Sequence, residues 1–111
     1  MRLGMRHPQL DEILGKLRSY LEHNYGDRLE RIVLYGSQAR GDATLDSDID
    51  VLIVLADECD PRLEIDRTTA FFSDLCMDYG VLVSQVFAHR DWVECKPNPF
   101  YVNLRQEGVS V

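Results

Sequence analysis

Long hydrophobic runs are missing from this sequence. No apolar stretch approaches the roughly 20 residues needed to cross a bilayer, and residues 1–10 are too polar for the core of a secretion signal, so a cytoplasmic address is expected. Cysteine is sparse: Cys59, Cys76 and Cys95 form an odd, widely spaced set with no Cys-x-x-Cys pair. That excludes a disulfide framework and a zinc site and leaves reduced, mostly packed thiols. His7, His23 and His89 are equally scattered, which gives no ground for a nucleophile–histidine pair or a histidine metal cluster. Basic residues are outnumbered, 12 Lys plus Arg against 19 Asp plus Glu, for a formal net charge of −7. A field of that sign repels a phosphate backbone, so nucleic acid is not favoured as a partner. Repeats, linkers and low-complexity tracts are absent as well.

What remains is an ordinary globular composition, 45% hydrophobic and 28% charged over 111 residues. That length and balance suit one domain spanning residues 1–111 with its own core. Leu10, Ile13, Leu14, Leu17 and Leu21 recur at helical spacing, with Pro8 fitting a first turn and Gly26 a stop, and predict a helix over about 8–25. Residues 31–35 and 50–56 read as strands, the second continuous enough to be buried on both faces. Asp60 before Pro61 marks the start of a helix over about 61–79, which Gly80 ends. A third strand over 81–88, a helical turn over 91–95 and a last helix opened by Asn98 and Pro99 and closed by Gly108 complete the chain. The fold class expected is α/β (α+β): a small mixed sheet of three to four strands covered by helices, with chemistry on the loops at strand ends.

One of those loops stands apart: Gly36-Ser37-Gln38-Ala39-Arg40-Gly41, a six-residue spacer from Asp42 to Ser47, then Asp48-Ile49-Asp50-Val51. Gly36 permits a sharp turn after Tyr35 and leaves room for a bulky ligand, while Ser37 suits the cap of a short helix facing an anion. Arg40, one turn on, is placed to reach the same anion with its guanidinium fork. Asp48 and Asp50 are two apart at the head of an extended run, so both carboxylates point to one side and can share a cation. Hard oxygen ligands beside a phosphate seat suit Mg²⁺, and a Mg²⁺–nucleoside triphosphate is the natural occupant. Singly, a Gly-Ser turn is usually a turn, an Asp-x-Asp a solvated strand end and Arg40 a surface arginine. With 7 Gly, 6 Ser, 10 Arg and 12 Asp in the chain, however, a chance match at all seven positions is roughly a one-in-a-million event.

The stretch GSQARGDATLDSDIDV resembles the signature of the DNA polymerase β-like nucleotidyltransferase superfamily, and at this length it looks most like the minimal nucleotidyltransferase (MNT) branch. The tail NPFYVNLRQEGV is similar to those of stand-alone members. By that resemblance Gly36 and Ser37 hold the triphosphate with Ser47 and Arg40 in support, and Asp48 and Asp50 are the catalytic, Mg²⁺-binding pair. ATP is the expected nucleotide and a hydroxyl, plausibly on a protein, the acceptor. The same resemblance implies as alternative a catalytically weak or inactive antitoxin-like module that binds a HEPN-type helical partner. With no room for an acceptor-binding domain, a homodimer or a partner chain is expected to complete the cleft.

One departure matters. Active members carry a third carboxylate on the later strand, and residues 81–88 hold no Asp or Glu: Ser84 or Gln85 occupies the expected place, with Asp78 the ligand only if the strand is shifted. Asp74 and Asp78 are assigned to the helix. Trp92, Phe100 and Tyr101 are expected in the core, Asp57, Glu58 and Asp60 in a solvated loop, and Asp42 and Asp46 in the turn.

Overall fold

The structure, a computed structural model, describes residues 8–41 and 48–111. Helix α1 (Leu10–Tyr25) leads by a single 3₁₀ turn into strand β1 (Leu29–Tyr35), and a short helix α2 (Gly36–Arg40) follows. Strand β2 (Ile49–Leu55), helix α3 (Pro61–Tyr79) and strand β3 (Val83–His89) form a β-α-β unit; helices α4 (Arg90–Cys95) and α5 (Pro99–Glu107) and the two-residue strand β4 (Val109–Ser110) end the chain. The sheet order is β3-β2-β1-β4, with β2 and β3 parallel and the other pairs antiparallel. A parallel pair needs a long crossover, and α3 supplies it. The mixed sheet covered by helices is the fold class expected.

Strand periodicity divides the core into two layers. Ile32, Leu34, Ile49, Val51, Ile53, Leu55, Val83 and Phe87 face α1 and α3, whose Ile13, Leu17, Leu21, Phe72 and Leu75 bury them. Val33, Leu52, Val54 and Ala88 face the other way, under Val93 of α4 and Leu104 of α5. Strand β2 is thus buried on both sides, the arrangement its unbroken apolar run requires.

Local signals set several boundaries. The Asp60 carboxylate accepts from the backbone N–H groups of Arg62 (3.2 Å) and Leu63 (3.4 Å), capping α3 with Pro61 in its first turn. Gly80 ends α3 in a left-handed conformation, φ +63°. Val81 then donates to the Cys76 carbonyl, so β3 begins at Val83 and not at 81. At the other end Gly108 closes α5 as expected, but with an ordinary φ of −67° and not in a left-handed conformation. A Cβ there would lie 2.6 Å from both the Leu104 carbonyl and Val33 Cγ1, so only glycine lets the chain pass close enough for β4 to pair with β1.

The packing also holds a polar cluster. Glu64, 3% exposed, accepts from the Tyr25 hydroxyl at 2.7 Å and is paired with Arg28 (3.6 Å) and Arg67 (3.5 Å). A buried carboxylate is tolerable only with such partners. Cys95 is exposed, unlike the half-buried Cys59 and Cys76, because it lies at the end of short α4 with nothing packed over it to form a core. Among the described residues no helix is long and apolar enough to cross a membrane.

Candidate functional site

The site forms where β1 ends and β2 begins. Tyr35 and Asp50 are paired across these antiparallel strands, so the residue after Tyr35 must pass directly by the Asp50 carboxylate. That residue is Gly36, and glycine is required there twice over. Its φ is +72°, and a Cβ would stand 2.5 Å from Asp50 Oδ2. The chain then makes the single turn of α2 and leaves it through Gly41, φ +75°, whose N–H donates to the Ser37 carbonyl. The cap position of α2 is held by Tyr35, not Ser37. Ser37 is the second residue of α2, one position inside the turn that Gly36 opens.

Asp50 shares its face with Leu52 and Val54, the side covered by α4 and α5. It is half-buried, whereas Asp48, just before the strand, is exposed. Burial, and after it the charge of Asp48, holds the Asp50 carboxyl above the ordinary carboxylate range. Burial likewise pushes the Tyr35 hydroxyl up to about 12, with the Asp50 charge adding to it. A desolvated carboxylate with a second carboxylate charge acting on it is a donor that a hard divalent cation relieves and that neutral ligands do not. Among the described residues no third Asp, Glu, His or Cys joins them as a ligand group.

The register settles which residue stands where a third carboxylate is expected. Ser84 is paired with Asp50 and shares its face, while Gln85 is paired with Val51 and turns to the α1/α3 face. Asp78 belongs to α3, packed against that opposite face, where its charge acts on Lys16 of α1; Asp74 is exposed on the same helix. Arg40 reaches across to Glu107 of α5, N–O 3.5 Å, which ties the loop to the last helix. Ser47, Asp42 and Asp46 lie outside the described residues.

Trp92 and Tyr101 pack partly buried on the α4/α5 layer, but Phe100 departs from the core expectation: it is 39% exposed and stands edge-on to Tyr35, ring centroids 5.6 Å apart. The core beneath α5 is filled by Leu104, so Phe100 is left at the lip of the site. A larger cavity of about 610 Å³, lined by Arg28, Cys59, Glu64, Arg67, His89 and Trp92, lies at the far end of the sheet from the two aspartates.

Residues 14–97, which contain the whole turn-and-aspartate arrangement, match the nucleotidyltransferase domain family. The chain belongs to that family. Two relatives come from Methanocaldococcus jannaschii (strain ATCC 43067 / DSM 2661 / JAL-1 / JCM 10045 / NBRC 100440). "Putative protein adenylyltransferase MJ0604" is 34% identical over 89 residues, covering 79% of this chain and 83% of its own. "Putative protein adenylyltransferase MJ0141" is 32% identical over 78 residues, covering 70% and 78%. Among solved structures, a chain from a mutant of the toxin–antitoxin MntA-HpeT superposes with a TM-score of 0.62 at 20% identity, covering 88% of this chain and 70% of that one. The shared fold is what that likeness shows.

In this nucleotidyltransferase domain, sequence reasoning missed the contribution of α5. Phe100, Asn103, Leu104 and Glu107 fall at offsets 0, 3, 4 and 7, one helical face, and all four line the space beside Gly36. That spacing was the available signal. Gln38, fully buried within α2, carried none, since a polar residue in a loop motif reads as solvated.

Proposed function

We propose that the domain binds a nucleoside triphosphate, ATP, with Mg²⁺, and transfers its nucleotidyl group to a hydroxyl on a protein partner. The observation that carries this is the close approach of Gly36 to the Asp50 carboxylate, which leaves a side-chain-free turn directly beside Asp50, with Asp48 near enough for its charge to act on that carboxyl. Gly36 and Ser37 present backbone and hydroxyl donors to the triphosphate, Ser47 joins them as a nucleotide-binding residue of the motif, and Arg40 is held at the side by Glu107. Asp48 and Asp50 are the residues that would hold the metal. When bound, Mg²⁺ supplies charge neutralisation on the phosphate oxygens. The acceptor oxygen bonds to the α-phosphorus as the α–β bridging bond breaks and pyrophosphate leaves. The acceptor proton passes to solvent water, since both carboxylates are engaged as metal ligands.

Names of relatives support a protein acceptor and adenylyl as the group moved. A partner chain, HEPN-type or a second copy, completes the cleft, and the reading places this chemistry in the cytoplasm. Ser84 beside Asp50 favours a second reading, a binding module of weak or no transfer activity that holds an antitoxin-like place beside a helical partner. Incubation of cell lysate with labelled ATP, Mg²⁺ and the protein separates the two. A labelled protein band that Asp48→Ala abolishes establishes transfer. Stable co-purification with a helical partner and no label in any band establishes the binding module and ends the transfer reading.

A further inference from the structure

The α5 side of the site is hollow. A cavity of about 200 Å³ opens between α2 and α5, lined by Tyr35, Gly36, Arg40, Phe100, Asn103 and Glu107. It begins at Gly36, the residue in contact with the Asp50 carboxylate, so a group bound against the aspartates has this cavity as its neighbour. Leu104, turned inward and 5% exposed, anchors the face of α5 that forms its wall.

The lining chemistry is specific. Phe100 is gripped edge-on by Tyr35 at 5.6 Å and by Tyr101 at 5.1 Å, yet stays 39% exposed. A ring fixed from two sides with open surface is a preorganised platform for a flat partner, and nucleobases stack on such platforms whatever their edge. One turn along, exposed Asn103 offers an amide that donates and accepts in one plane. That pattern matches the adjacent amino group and ring nitrogen of adenine; guanine presents two acceptors on the same edge and suits an arginine instead. Arg40, the cation in the lining, is engaged by Glu107.

We propose that this cavity is a base pocket, in which an adenine ring stacks on Phe100 and is read at its edge by Asn103. The assignment rests on the nucleotide-binding reading above and adds base selectivity to it. The test is calorimetric titration of the full chain, with Mg²⁺ present, by ATP, GTP and inorganic tripolyphosphate. The unaltered protein binds ATP about tenfold more tightly than GTP. Phe100→Ala weakens ATP about tenfold and leaves tripolyphosphate unchanged. Asn103→Leu, an exposed substitution that keeps the fold, brings ATP and GTP to near equality. ATP binding no tighter than tripolyphosphate overturns the pocket and leaves the phosphate site standing, as does an Asn103→Leu variant that keeps the ATP preference. Absence of binding by ATP and tripolyphosphate alike removes the nucleotide reading and the pocket with it.

Discussion

Ser84 stands beside Asp50 across the parallel pair β2–β3, on the same face of the sheet. A hydroxyl there neither repels Asp50 nor draws in a second cation. Ser84→Asp is therefore expected to raise Mg²⁺ affinity and to increase any transfer rate tenfold or more, while lowering the melting temperature of the metal-free protein through a third like charge. Ser84→Ala leaves Mg²⁺-dependent ATP binding within twofold. Gln85→Asp, facing α1 and α3 from the next position, gains no metal and loses about 1–3 kcal/mol by denaturant unfolding.

Gly36→Ala strains a positive φ and drives a methyl group against Asp50 Oδ2. Moving either the turn or the carboxylate is the only relief. Loss of about 1–3 kcal/mol is expected in urea unfolding, together with loss of ATP binding. Ala at Gly41, which has open space around it, costs only the backbone strain and keeps part of the binding.

Asp50 makes stability depend on pH with a definite sign. Its folded proton affinity is raised, so in the window between the ordinary carboxylate value and the raised one the folded state holds more protons than the unfolded state. Stability without metal then falls as pH rises through that window. Asp50→Asn removes this fall and melts a few degrees above the unaltered protein at neutral pH, read from melting curves across pH 3.5–7 in EDTA. Excess Mg²⁺ narrows the difference by stabilising the unaltered protein alone.

Glu64 holds three partners at the far end of the sheet. Glu64→Leu leaves the buried Tyr25 hydroxyl without its acceptor and two guanidinium groups without their buried counter-charge. A loss of about 2–3 kcal/mol is expected by denaturant unfolding, with tripolyphosphate binding unchanged because the site lies at the other end.

Local signals in the sequence placed most of the fold. Asp60-Pro61 writes its own cap, the apolar run of β2 demands a central strand, and the Gly-Ser and Asp-x-Asp stretches converge because adjacent antiparallel strands hold Tyr35 against Asp50. Long-range facts stayed hidden. Ser84 and Gln85 could not be separated, since a shift of one residue in a strand exchanges its faces and only the β2–β3 register fixes which is which. The two residues of β4 carry no pattern of their own and exist because Gly108 lets the chain close on Val33. Glu64 looks like a solvated helix residue until Tyr25, 39 positions earlier, is packed over it. Phe100 looks like core until Leu104 is seen to fill that place.

The central claim, that Gly36, Asp48 and Asp50 together hold a metal-bound triphosphate, is tested most directly by titrating ATP into the protein with Mg²⁺ and again with EDTA, for the unaltered chain and for Asp48→Ala. The account predicts saturable binding that needs Mg²⁺ and vanishes in Asp48→Ala, with the fold of the variant intact by circular dichroism. Equal ATP binding in EDTA, or undiminished binding by Asp48→Ala, would contradict it.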